Sequence, residues 1–590
     1  MTNHLLLFTI GPVQSFIAQA RKTQDLYAGS QLLSELIDFA LTQLNPKEII
    51  FPAENIESKP NRFLAIIDED QIEIAKKLAE KVKEEFKKTA DKQFNDICNG
   101  KPKPNNFDDQ IDNFLDINWV ILPYDEKGYQ AQYKEIEKTL GAIKNVRVFN
   151  QLEEQGRKCS LCGERNVLFY HPTKGKNGSD KKPAHIQDDA ISIKDNKLTS
   201  GEGLCAVCFT KRFYKNENFP STAEIALMDT LKKLDSNLLN QYKDLFKGYT
   251  FDEQLYFDEN LSETYFKKNA LEGLEDKLPE IKKKNEEIKK ATKDKDLKLN
   301  KYYAIIALDG DNMGKWLSGD NINNPEKELL DFHKNLSEKL GTYAGNVKTF
   351  IKQDDGSGKL VYAGGDDVLA FVNLNHLTEV LKALRKNFEK EVNQSEEIKK
   401  YRKDKENLTV SCGVAIAHYK IPLGEVLKRA RKMEKAAKEK GDRNAFGLAV
   451  LKHSGEIEET VFKWNFELPD KCKLYPDCNG VNSICLLGEL IDHLKQEEFS
   501  NTFIKSLNTE LYKLMDEEGK IGNLKADDII DTELKRLLIR SRNESKGITK
   551  DKAIELAGKI FKLYESKNDD VQNFLSFLNI ADFLHREVNK

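Results

Sequence analysis

No uninterrupted apolar stretch of the 590-residue chain approaches the ~18 residues a membrane helix needs. The early run Leu5 to Ile10 stops at Gly11-Pro12 with no signal-peptide layout around it. A cytoplasmic protein without membrane partners is expected. The chain also lacks an excess of either charge: 93 Lys and Arg stand against 97 Asp and Glu, a net charge of −4. It is therefore no polycation built to coat nucleic acid, and any grip on RNA must be local. Cysteine is scarce, nine in all, but four fall in two C-x-x-C pairs, Cys159 with Cys162 and Cys205 with Cys208. In a reducing compartment such pairs point to metal rather than disulfides. Hydrophobic residues are few, 39%, yet 31 Phe and 19 Tyr supply cores, which excludes wholesale disorder. The length suits about three to five domains.

Along the chain, apolar strand patterns at 5–10, 63–67 and 119–122 alternate with helix-period stretches, which predicts an α+β or α/β domain over residues 1–150. Residues 151–220 turn to Gly, Lys and Asp around the two Cys pairs, the composition of a metal-stapled insert. Helices are predicted over 221–300, ending in the Lys-rich run Lys282 to Lys298, a solvated helix or linker in preference to an RNA-binding arm. At Tyr302 the pattern switches to a buried strand, opening a second α+β domain over 301–450. Residues 451–590 are predicted to form a helical, partner-contacting domain.

The most informative segment is Lys359 to Phe371, two apolar strands joined by Gly364-Gly365-Asp366-Asp367, a hairpin with acid at its tip. Adjacent carboxylates in a turn repel each other unless a cation or proton neutralises them. A second acidic pair, Asp309 and Asp311, ends the strand Tyr303 to Leu308, and ligands gather at the carboxyl ends of strands in open sheets. If the two strands are neighbours, Asp309 and Asp366 converge. Carboxylate oxygens there suit two Mg²⁺ or Mn²⁺ ions, which can activate a hydroxyl and stabilise departing pyrophosphate. Ala436 to Asn444 ends a basic helix; its cations suit a triphosphate, although a Lys-rich helix end followed by Gly is also what an ordinary capped helix shows.

These elements resemble the palm domains of nucleotide cyclases and of the large subunit of type III CRISPR effector complexes, most closely the Cmr (III-B) kind. Ile10 to Ile17, Arg21-Lys22-Thr23, Asp25 to Ser30, Pro60 to Phe63, both Cys pairs, Phe219 to Ala226, Asp309 to Gly314 and the Gly-Gly-Asp-Asp tip carry the likeness, which spans roughly residues 4–450. It implies two ferredoxin-like, cyclase-type palms with helical domains and a Cys₄ zinc insert. The activity implied is transfer of AMP from ATP to a hydroxyl once guide RNA and sibling subunits have engaged target RNA. The product would be a cyclic oligoadenylate, or in some members a conjugate with S-adenosylmethionine; a non-catalytic scaffold is the contrasting role, and a free-standing diguanylate cyclase fits the tip less well.

Carried over by residue, Asp309, Asp366 and Asp367 would be catalytic and bind metal, with Gly310, Gly364, Gly365, Lys438 and Arg443 around the nucleotide. Asp442, inserted between Gly441 and Arg443, makes Arg443 the weakest correspondence. No His-Asp dipeptide occurs, so the nuclease domain that opens many relatives, and a DNA-cleaving role, are not expected. The first palm has no Gly-Gly-Asp-Asp of its own and is expected to line the ATP site without metal ligands, its Gly11 to Ser30 stretch serving packing more than chemistry, with Gln14 or Ser30 as the residues that would touch nucleotide. The Cys pairs, 42 residues apart, would close one structural Zn²⁺ site. For RNA contact the candidate patches are Lys211-Arg212 and Lys428 to Lys440, each taken by itself a solvated face in preference to an RNA grip.

Overall fold

A computed structural model describes residues 3–146, 154–175, 178–215, 219–269, 271–466, 481–516, 526–566 and 570–588. Two units repeat the order strand, helix, strand, strand, helix, strand. The first contains β1 (His4–Gly11), β2 (Glu48–Phe51), β3 (Arg62–Ile67) and β4 (Asp116–Pro123) in the order β2-β3-β1-β4, with helices Thr23–Leu44 and Ile72–Cys98 in the two crossovers. The second contains β5 (Tyr302–Gly310), β6 (Gly358–Gly364), β7 (Asp367–Asn373) and β8 (Val410–His418), extended by β9 (Ala445–Leu451) and β10 (Ile457–Lys463) into a sheet ordered β6-β7-β5-β8-β9-β10. Both are therefore ferredoxin-like, as the α+β expectation required.

Burial on both faces explains why β5 reads as a continuous apolar run. Ala304, Ile306 and Leu308 join the core that contains Leu329, Phe332 and Leu336 of the helix Pro325–Phe350; Tyr303 and Ile305 join the core of Val426, Ala430 and Met433 on the helix Leu423–Glu439. The first sheet divides likewise. Its Leu6 and Phe8 pack with Leu33, Ile37 and Phe86, while Leu5, Leu7, Leu64 and Ile66 share the core of the second unit. A buried His333 clasps this junction: its Nδ1 lies 2.7 Å from the Tyr129 hydroxyl and its Nε2 2.9 Å from the Leu317 carbonyl. Burial lowers its pKa to about 4, so the ring is neutral, accepting from Tyr129 and donating to Leu317.

Two expectations change. The segment after 450 is not helical throughout: β10 pairs antiparallel with β9 at the sheet edge, and its polar Glu458, Glu459 and Thr460 hide a strand from an apolar-pattern search. Among the described residues five α-helices follow, from Asn482–Lys495 to Val571–Glu587. Lys211 and Arg212 form neither an RNA patch nor a solvated face. Both are fully buried on the helix Ala206–Phe213. Arg212 pairs with Asp25 and Glu202, and Lys211 Nζ donates to the Phe16 and Gln19 carbonyls. These contacts fasten the insert onto the first unit.

Candidate active site

The second sheet brings the acidic motifs together. β5 and β7 are antiparallel neighbours, with Leu308 opposite Val368, so the end of β5 lies beside the start of β7. β6 and β7 pair up to Gly364 and Asp367, leaving Gly365 and Asp366 as a two-residue tip. Gly365 has φ +76°, a conformation costly for any residue with a Cβ. Asp366 reaches back to Gly310, whose N–H hydrogen-bonds its carboxylate. An added Cβ at 310 would stand 2.4 Å from Asp366 Oδ2, so only glycine permits the approach.

Burial first, and the neighbouring Asp309 charge second, push the Asp366 carboxyl up to about 6 and that of Asp367 to about 7. Carboxyls so raised at a half-buried tip want a proton or a cation. Asp367 Oδ2 accepts from the Tyr362 hydroxyl at 2.8 Å, and Tyr362 also bonds Arg431.

The helix Leu423–Glu439 supplies the opposing charge. It lies directly on β8, where a Cβ at Gly413 would meet the Ala430 carbonyl at 2.0 Å. That close seating brings Arg431, Glu434 and Lys438, spaced i, i+3 and i+7 on one face, over the carboxylates. Lys438 is paired with Asp309 and, at 3.0 Å, with Glu434. Burial opposes its charge, but Asp309 and Glu434 more than offset this and raise its pKa. Arg431, Glu434 and Tyr362 escaped the sequence search; their register with Lys438 on the helix was the available signal for the first two, and nothing marked the third.

Asp311 separates from Asp309. It is buried and its oxygens accept from Thr409 Oγ1 and Ser411 Oγ, both at 2.7 Å, and from the Asn444 N–H at 2.9 Å. It thus anchors the run Asp442, Arg443 and Asn444, all three with positive φ, and is a structural acid. Arg443 is exposed, and among the described residues its side chain has no hydrogen-bond or ion-pair partner. Gly364 and Gly365 flank the tip, while Asp309, Gly310, Asp366, Asp367 and Lys438 converge.

The first unit holds the same positions with different chemistry. Lys144, one residue from the end of the helix after β4 as Lys438 is in the helix after β8, donates to Thr9 Oγ1 at 3.4 Å where Lys438 meets Asp309. Arg62 opens β3 opposite Thr9, as Asp367 opens β7, and pairs with Glu137. A hydroxyl and a cation therefore stand in place of two acids.

In the insert the four Cys Sγ atoms all lie within 4.8 Å of one another, with Cys162 and Cys205 3.8 Å apart. A tetrahedron of four thiolates ~2.3 Å from a central ion has edges of about 3.8 Å. The cluster fits a metal ion.

Comparison with known proteins agrees with this geometry. Residues 302–447 match the family model for the second palm domain of Cas10/Cmr2, and residues 5–55 that for the N-terminal part of CRISPR-associated protein Cmr2. These two stretches of the chain are similar to Cas10/Cmr2 proteins. The Cmr2 subunit of the CRISPR Cmr system from Pyrococcus furiosus is 26% identical, with 78% of this chain and 63% of that protein covered, so the chain spans less than two thirds of that relative. Two solved structures share the fold at 14% identity over 99% of this chain. The type III-B Cmr-beta complex in its apo state has a TM-score of 0.64 with 82% of its chain covered, and the same complex bound to cognate target RNA has 0.63 with 83% covered. The second unit is thus similar to the second palm domain of Cas10/Cmr2.

Proposed function

We propose that the chain is the nucleotidyltransferase subunit of a target-RNA-activated type III-B CRISPR complex, moving AMP from ATP to a hydroxyl acceptor, with a cyclic oligoadenylate as the product. The observation that carries this is the convergence of Asp309, Asp366 and Asp367 with Lys438, supported by the Cas10/Cmr2 palm match over 302–447. The three carboxylates would hold two Mg²⁺ or Mn²⁺ ions, which when bound neutralise polyphosphate charge and acidify the attacking hydroxyl.

The chain's own groups do the rest. Asp366, fixed on the Gly310 N–H, and Asp367, fixed by Tyr362, keep their oxygens at the end of β5. Lys438 exchanges part of its pairing with Asp309 for the triphosphate, and with Arg443 nearby in sequence offsets the charge gathered on the leaving group. The acceptor oxygen bonds to the α-phosphorus, the bond from that phosphorus to the bridging oxygen breaks, pyrophosphate leaves, and the hydroxyl proton passes to water. Gly365, where an added Cβ would meet nothing, leaves the tip open to the nucleotide, while Gly310 and Gly364 make room for Asp366 and the Ser58 carbonyl. Cys159, Cys162, Cys205 and Cys208 hold one structural Zn²⁺ that closes the insert.

Complex assembled with guide RNA, target RNA, Mg²⁺ and ATP is expected to release pyrophosphate and an adenylate whose mass identifies the acceptor. Undiminished output from the double variant Asp366→Ala, Asp367→Ala would overturn the proposal.

A further inference from the structure

The catalytic tip of the second palm is backed by the first. In the second palm β6 and β7 meet through two residues; in the first, the corresponding β2 and β3 are joined by residues 52–61. This longer segment contains no Gly-Gly-Asp-Asp. It folds on Lys59 instead, whose Nζ donates to the carbonyls of Ala53 at 3.3 Å, Glu54 at 3.0 Å and Ile56. An ammonium has three N–H donors, and all three are taken, so Lys59 has none left for phosphate.

The folded segment is fixed on both sides. The Lys59 N–H donates to Ser34 Oγ of its own palm and the Ala53 N–H to Ser337 Oγ of the other, both at 2.7 Å. Glu57 pairs with Lys348, and Asn55 sits so close to Gly341 that a Cβ there would meet its Oδ1 at 2.1 Å. Three contacts thus lock the segment to the helix Pro325–Phe350, and a fourth reaches the site: the Ser58 carbonyl lies 3.0 Å from where a Cβ on Gly364 would stand. Gly364 is the residue that leads into the tip bearing Asp366.

We propose that Lys59 is a positioning residue for adenylyl transfer, folding a bracket of the first palm that fixes Gly364 and through it the carboxylates of Asp366 and Asp367. This rests on the proposed function of the second palm. The bracket touches no substrate, so its loss misplaces the metal ligands without removing a nucleotide contact. Partners that hold metal ligands in place are worth roughly 10–100-fold in metal affinity.

The test compares wild type, Lys59→Met, Lys59→Arg and Gly364→Ala in the assembled complex. Mg²⁺ is titrated against pyrophosphate release, and Mn²⁺ affinity of the full chain is measured by electron paramagnetic resonance without turnover. In Lys59→Met the Mg²⁺ and Mn²⁺ half-saturation points are expected to rise about tenfold. Its kcat should fall at low metal while KM for ATP at saturating metal stays near wild type, and Lys59→Arg should recover most of the loss. Gly364→Ala, pressing on Ser58 from the other side, should shift the metal dependence the same way, and it decides the matter if Lys59→Met does not fold. Wild-type metal affinity in folded Lys59→Met or Gly364→Ala overturns the inference, as does a rise in KM for ATP alone. Those results leave the wild-type activity standing. Absence of pyrophosphate from the wild type, in contrast, overturns the underlying function and the inference with it.

Discussion

Asp366→Asn tests the electrostatics of the tip without using activity. The folded protein raises this carboxyl from 3.8 to about 6, chiefly by burial and then by Asp309. A raised carboxyl pKa means that the ionised form is disfavoured in the fold. The resulting penalty is absent below about pH 4, grows as pH rises toward 6, and is constant above. Two pKa units correspond to about 3 kcal/mol, of which solvent reaching the half-buried tip leaves roughly 1–2 kcal/mol. Asparagine keeps an oxygen to accept from the Gly310 N–H and carries no charge. In chelator at pH 8 the variant is therefore expected to unfold about 1 °C higher per kcal/mol relieved, and at pH 4.5 that gap should narrow by more than half. Adding Mg²⁺ should stabilise wild type and leave the variant nearly unmoved. Scanning calorimetry of both proteins at the two pH values, with and without metal, measures all of this. A variant less stable than wild type at pH 8 in chelator would refute the view that the tip is a repulsive cluster awaiting a cation.

Gly310→Ala would drive a Cβ into Asp366 Oδ2 and is expected to abolish metal binding at the tip while costing about 1–3 kcal/mol, read from Mn²⁺ titration beside urea unfolding. Lys438→Met removes the partner of Asp309 and the expected triphosphate ligand; pyrophosphate release should fall about 100-fold or more, with Lys438→Arg recovering part of it. Arg212→Met leaves Asp25 buried without its guanidinium and should cost about 3–5 kcal/mol, detected as earlier unfolding and faster proteolysis of the insert. Cys208→Ser should cost the chain one equivalent of bound zinc by elemental analysis while leaving the second palm's Mn²⁺ affinity intact.

How much of this the sequence carried depended on whether a residue's partners were near it in the chain. Strands β6 and β7 declared themselves because they are neighbours both in sequence and in the sheet, and β5 through its continuous apolar run. The acidic tip was legible for the same reason: glycines and carboxylates in a two-residue turn have few other uses. Asp309 and Asp311 looked alike from sequence, and only the hydroxyls of Thr409 and Ser411, about a hundred residues away, show that Asp311 is structural. Lys211 and Arg212 looked like surface cations because Asp25 lies 187 residues from Arg212. Lys59 offered no pattern at all, since its partners are backbone carbonyls. The edge strand β10 was missed because Glu458, Glu459 and Thr460 interrupt its apolar pattern on both faces, leaving only Val461 and Phe462 to mark it.

The central claim is that Asp309, Asp366 and Asp367 hold divalent cations against the phosphates of ATP. Electron paramagnetic and nuclear double resonance of Mn²⁺ with a non-hydrolysable ATP analogue, on the full chain, measures this directly. The account predicts tightly held Mn²⁺ with phosphorus couplings in wild type, both lost in Asp309→Ala and in the Asp366→Ala, Asp367→Ala variant. Mn²⁺ bound with the same affinity and the same phosphorus couplings in those variants would contradict it.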